Sequence, residues 1–136
     1  MLEIKNLTKI YPNGKKAVSN LNMTIDNGDL CGFIGKNGAG KTTTLKACLT
    51  IHDFEAGEIL LDGISIKSAP TECKKKMAYV PDTPILETYL TGLQYLNFVC
   101  DIYEVPTHTR KKRIDYLAYC FGMKDKLNDL ISSYSH

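Results

Sequence analysis

The segment Gly35-Lys36-Asn37-Gly38-Ala39-Gly40-Lys41-Thr42 fits the pattern G-x-x-x-x-G-K-[ST] and constrains this chain more than any other feature. Its glycines let the backbone bend until successive N–H groups point inward, with no Cβ in the way. Residues 29–34 (DLCGFI) form an apolar run that predicts a buried strand, and residues 41–50 predict a helix with Leu45, Cys48 and Leu49 on one face. A helix beginning at the end of such a loop aims its positive end into the loop. Together these features suit a triphosphate. Lys41 supplies a point charge for the β- and γ-phosphates, Thr42 a hydroxyl for Mg²⁺, and Thr43 a donor for the α-phosphate. The alternative is a glycine-rich turn with no ligand; the strand before and the helix after favour the phosphate loop.

The rest of the chain sets bounds. Its 136 residues suit one domain or part of a larger one. Seventeen Lys and Arg against 15 Asp and Glu leave a net charge of +2, too balanced to point to nucleic acid. No apolar run reaches the roughly 18–20 residues that span a bilayer. The N-terminus lacks a signal-peptide layout, which predicts a chain that stays in the cytosol. The cysteines (Cys31, Cys48, Cys73, Cys100, Cys120) are odd in number and irregularly spaced, so they read as buried free thiols. His52, His108 and His136 have no metal-ligand spacing and read as ordinary polar residues.

Residues 2–10 and 17–25 predict two strands around the turn Pro12-Asn13-Gly14. Residues 58–66 predict a hairpin turning at Asp62-Gly63. Asp62 also ends the apolar run Ile59-Leu60-Leu61, which would suit a Mg²⁺-holding acid, but the turn reading is preferred because no helix follows. Met77–Val80 predicts a further short strand. Beyond residue 90 the period becomes helical. Thr91 to Gln94 makes a capping box, followed by Leu93, Leu96, Cys100 and Tyr103 on one face. Pro106 stops that helix, and a second runs from about Thr107 to Phe121. Ile114, Leu117, Ala118 and Phe121 form its apolar face, with Gly122 as the cap.

These residues resemble, in order and across the whole chain, the ATP-binding subunit of ABC (ATP-binding cassette) transporters. Tyr11 matches the aromatic that stacks on adenine. Gly35, Lys36, Asn37, Gly38, Ala39, Gly40, Lys41, Thr42 and Thr43 match the Walker A loop, and Gly57 to Gly63 a characteristic hairpin. Tyr79-Val80-Pro81-Asp82 occupies the Q-loop position, with Asp82 where the family usually has Gln. Leu90-Thr91-Gly92 resembles the opening of the helical subdomain, and Tyr134-Ser135-His136 the start of the signature motif.

The resemblance implies an α/β P-loop fold. Residues 1–90 would form the ATP-binding core, an antiparallel β subdomain plus a partial parallel sheet, and residues 91–136 the helical subdomain. It implies ATP and Mg²⁺ as cofactors, with Thr42 and Asp82 toward the metal and Asp82 at a catalytic position. The implied partners are a second ATP-binding subunit, head to tail, and a transmembrane permease at the cytoplasmic face of the membrane, with no nucleic acid. The Pro81-Asp82 and Tyr134-Ser135-His136 variants resemble exporter-type subunits. The remainder of the signature motif, the Walker B acid, the catalytic Glu and the switch His are absent from these residues. ATP binding with little or no hydrolysis is therefore expected of this chain. Only 29–34 and 77–80 are candidates for a parallel sheet, so Leu30, Phe33 and Ile34 are expected to lack cover and the chain to be marginally stable or to self-associate. A non-transport ABC ATPase or another P-loop nucleotide-binding protein is the alternative.

Overall fold

The computed structural model describes residues 1–81, 83 and 85–134. Two compact units are present, Met1–Tyr79 and Val80–His136. The first is built on a four-stranded antiparallel sheet of order β2-β1-β3-β4. Its strands are β1 (Leu2–Ile10), β2 (Lys16–Ile25), β3 (Ala56–Leu61) and β4 (Ile64–Ser65). The β1–β2 turn closes through Tyr11 N–H to Lys15 O at 2.9 Å and Gly14 N–H to Tyr11 O at 2.8 Å.

The incomplete alternation of residues 2–10 has a structural cause. Ile4 and Leu7 are both buried although three residues apart. Between them the register with β2 shifts, and Asn6 adopts φ 52°. A bulge there adds one residue and returns Leu7 to the core face. Asn tolerates the left-handed region, and its N–H is taken by Asn22 Oδ1 at 2.9 Å. Gly57 lies against this bulge with φ 97°, where a Cβ would sit 2.5 Å from Lys5 O. The first glycine of the 57–63 pattern is therefore required by the neighbouring strand.

Asp62 and Gly63 have φ 52° and 77°, the pair of positive values that a two-residue type I′ hairpin needs. The Asp62 carboxylate accepts from the chain's N-terminal ammonium at 2.7 Å and from Lys76 at 3.1 Å. These bonds hold its carboxyl below the usual carboxylate range, the N-terminal one most of all. Asp62 is a turn residue, as the hairpin reading held.

Helix α1 (Lys41–Cys48) packs Ala47 and Cys48 into a core with Ile4, Leu7, Val18, Phe54, Ile59 and Ile66. Helix α2 (Pro70–Lys74), which the sequence reading did not anticipate, adds Cys73 to that core. Burial pushes the Cys48 thiol up to about 11, so it stays protonated and inert. Cys48 and Cys73 fit the reading of buried thiols, but Cys31 and Cys120 are exposed.

Two expected strands do not form. Residues 29–34 carry no ladder, and Leu30 and Ile34 are essentially fully exposed, at 102% and 96%. Residues 77–80 likewise form no strand, and Val80 is exposed. Among the described residues the only sheet is antiparallel, so the partial parallel-sheet core is missing. A strand exists only with a neighbour to take its N–H and C=O groups, and neither run finds one. The expected lack of cover over Leu30 and Ile34 is thus present. Phe33 is only partly exposed.

The second unit contains α3 (Gly92–Ile102) and α4 (Thr107–Cys120), followed by single 3₁₀ turns at Lys124–Lys126 and Ile131–Ser133. The capping box is formed: Gln94 N–H donates to Thr91 Oγ1 at 3.2 Å, and Thr91 N–H to Gln94 Oε1 at 2.9 Å. Gly122, at φ 65°, turns the chain after α4, and Met123 N–H closes onto Ala118 O at 2.7 Å. Of the expected α4 face, Ile114 and Ala118 are buried. Leu117 and Phe121 are exposed, Phe121 by 78%. Two helices and short turns do not wrap that stripe. An open apolar groove of about 560 Å³ remains, lined by Leu96, Val99, Val105, Leu117, Phe121 and Met123.

Candidate nucleotide site

The loop between residues 35 and 40 ends at the start of α1. Gly40 caps that helix at φ 90°, and Gly38 turns the loop at φ 82°. Ala39 N–H donates to Lys36 O at 3.1 Å, which closes the turn between them. Gly40 also lies against β2, where a Cβ would sit 2.3 Å from Ala17 O and 3.2 Å from Val18 Cγ2. Sheet and loop are thus built onto each other at a position only glycine fits.

Among the described residues no side chain caps the N-terminus of α1, and its first turn holds no acidic residue. The first N–H groups of a helix have no intrahelical partner and carry its positive end. An uncapped, acid-free start facing a glycine loop therefore suits an anion. Lys41 stands at this start with its ammonium turned back into the loop, donating to Gly35 O and, at 3.0 Å, to Lys36 O. It brings a cation to the middle of the donor set. Thr44, which the sequence reading passed over, is 2% exposed and donates to Gly40 O at 2.9 Å, locking the first turn to the loop.

The adjacent threonines point to different tasks. Thr42 is exposed at the helix start. Its hydroxyl fits Mg²⁺, which takes few protein oxygens and fills its shell with phosphate oxygens and water. Thr43 is 9% exposed and its hydroxyl lies 3.0 Å from the Tyr11 hydroxyl. The fold therefore brings Tyr11 to the phosphate loop from 32 residues away. The Tyr11 ring meets His52 edge-on, with centroids 6.2 Å apart, and Lys9 Nζ lies 5.9 Å from its centroid. Asp82 and Ser135 lie outside the described residues.

Glu55 holds the chain leading to Tyr11. Its carboxylate accepts from Ile10 N–H at 2.5 Å and from Lys9 Nζ at 2.9 Å. No local pattern marks it in the sequence, because both partners are contributed by another strand. The Ile10 bond, and then Lys9, hold its carboxyl below the ordinary 4.5. A depressed folded-state value stabilises the fold above the unfolded value, and that contribution is lost as pH falls through the folded one. Glu55→Gln is therefore expected to flatten the loss of melting temperature below about pH 4.5 relative to the parent chain. Parallel melting curves from pH 6 to 3 for both proteins would disprove this.

Comparison with known proteins matches this chain to the ABC transporter family over residues 18–136. It is 38% identical over 114 residues to the choline transport ATP-binding protein OpuBA of Bacillus subtilis, covering 83% of this chain and 30% of that protein. It is 31% identical to the SkfA peptide export ATP-binding protein SkfE of Bacillus subtilis, covering 99% of this chain and 55% of that protein. A solved ATP-binding subunit of an ABC transporter superposes with a TM-score of 0.90 at 27% identity, covering 99% of this chain and 56% of that one. This chain thus covers between 30% and a little over half of the length of such relatives. With a P-loop architecture shared across its length and a family match over most of its residues, the chain belongs to the ABC transporter family.

Proposed function

We propose that this chain is the nucleotide-binding part of an ABC transporter ATP-binding subunit, one that couples ATP binding and hydrolysis to transport across a membrane. The observation that carries the reading is the Lys41 ammonium inside a glycine loop at the uncapped, acid-free start of α1. Gly35 to Thr43 would cradle the phosphates, Tyr11 would stack on the adenine, and Thr42 would contribute to Mg²⁺ binding, with Asp82 as its second candidate ligand. Mg²⁺, when bound, neutralises charge on the β- and γ-phosphates.

Relatives named for choline transport and for peptide export both match, so the reading extends to transport in general. We favour export on the sequence variants at Pro81-Asp82 and at the Tyr134 segment. The partners in this reading are a second ATP-binding subunit, with Ser135 opening the signature motif that meets its nucleotide, and a permease that holds the subunit at the cytoplasmic face of the membrane. Among the described residues no helix is long and apolar enough to cross a membrane itself.

Binding and turnover separate in this chain. Asp62, the acid considered for Mg²⁺, is tied to the N-terminus and Lys76. Phosphoryl transfer depends on positioned charge and an oriented water. Calorimetry with Mg-ATP is therefore expected to show one-site binding, with phosphate release near background. Absence of binding overturns the site, and rapid steady turnover overturns the separation.

A further inference from the structure

Tyr11 is attached to the phosphate loop by its hydroxyl, and an adenine stack does not require that bond. A stacking platform needs only the ring face, which phenylalanine also provides. Yet the phenol oxygen lies 3.0 Å from Thr43 Oγ1, on a residue that is almost wholly buried. The strand end is fixed from a second side, because Glu55 holds both Ile10 N–H and Lys9 Nζ. The position of Tyr11 is therefore determined before any ligand arrives.

We infer that the Tyr11 hydroxyl is a positioning group for the phosphates: it orients the Thr43 hydroxyl as a phosphate donor and so joins the base platform to the phosphate loop. This rests on the nucleotide-site reading above. The chemistry follows from proton counting. A phosphate oxygen at neutral pH accepts hydrogen bonds, and a threonine hydroxyl has one proton and two lone pairs. When Thr43 donates to phosphate, it can only accept from Tyr11, and the phenol donates. Accepting one bond polarises the hydroxyl and strengthens the bond it donates. Phenylalanine at position 11 would keep the stack but leave Thr43 free to rotate.

The test uses two ligands, Mg-ATP and inorganic tripolyphosphate with Mg²⁺, the second having no base. Tyr11→Phe is expected to weaken both by about three- to tenfold, the range of one neutral hydrogen bond. Tyr11→Ala should weaken ATP further without weakening tripolyphosphate further. In a Thr43→Val background, Tyr11→Phe should have no additional effect on tripolyphosphate. Thermal melts establish that each variant is folded, and Tyr11→Phe removes one oxygen from a partly exposed residue. If Tyr11→Phe leaves tripolyphosphate affinity unchanged, or if its effect multiplies independently with that of Thr43→Val, the inference is overturned. A parent chain that binds neither ligand overturns the nucleotide site itself, and this inference with it.

Discussion

Lys41→Ala is expected to lower the affinity of this chain for Mg-ATP on the order of a hundredfold, with little change in melting temperature. The ammonium's bonds in the free protein are to the carbonyls of Gly35 and Lys36, on an exposed loop. Water replaces such neutral, exposed acceptors cheaply, so the fold loses little. Phosphate oxygens are charged acceptors. Two charge-assisted bonds at about 1.5 kcal/mol or more each give a loss of about 3 kcal/mol, or two decades in affinity. Lys41→Arg should recover only part of this, because a planar guanidinium fork does not reproduce the compact point charge that the ammonium places between Gly35 O and Lys36 O. Calorimetry on the three proteins decides the matter, and equal affinity in Lys41→Ala removes the phosphate loop as the binding site.

A large effect on stability is expected at Gly40. Gly40→Ala places a Cβ 2.3 Å from Ala17 O on β2, a backbone atom that cannot move without shifting the strand. The residue also has φ 90°, which costs an L-residue about 1–2 kcal/mol. Overpacking against backbone adds about 1–3 kcal/mol, so a total loss of about 2–5 kcal/mol is expected. Gly38→Ala is the matched control. Its φ is 82°, but its Cβ would meet nothing within 4 Å. Only the conformational cost applies there, and its loss should stay near 1–2 kcal/mol. Chemical denaturation of both variants separates clash from conformation. Equal losses would mean that β2 does not press on the loop as described.

What the sequence determined by itself was written in neighbouring residues. The phosphate loop needs glycines and a lysine within eight positions. The Asp62-Gly63 turn is set by two residues that tolerate positive φ, and the α3 start by Thr91 and Gln94 three apart. Each encodes its conformation within about one turn of chain, so its surroundings need not be known. The family resemblance was legible for the same reason, being a succession of such local signals.

Tertiary structure decided whatever needed a distant partner. Residues 29–34 have the composition of a buried strand, but Leu30 and Ile34 are bare because no described strand lies beside them. Leu117 and Phe121 lie on the apolar stripe of α4, and the described residues of the second unit leave them exposed. The bulge at Asn6 moved Leu7 to the core face, which no period-two pattern anticipates. The same holds for the site. Its loop was legible, whereas the Tyr11–Thr43 bond and the hold of Glu55 on Ile10 span 32 and 45 residues of chain. Local sequence specifies which backbone conformations are cheap. Pairing, burial and the meeting of side chains depend on which distant segments arrive alongside, and only the folded chain settles that.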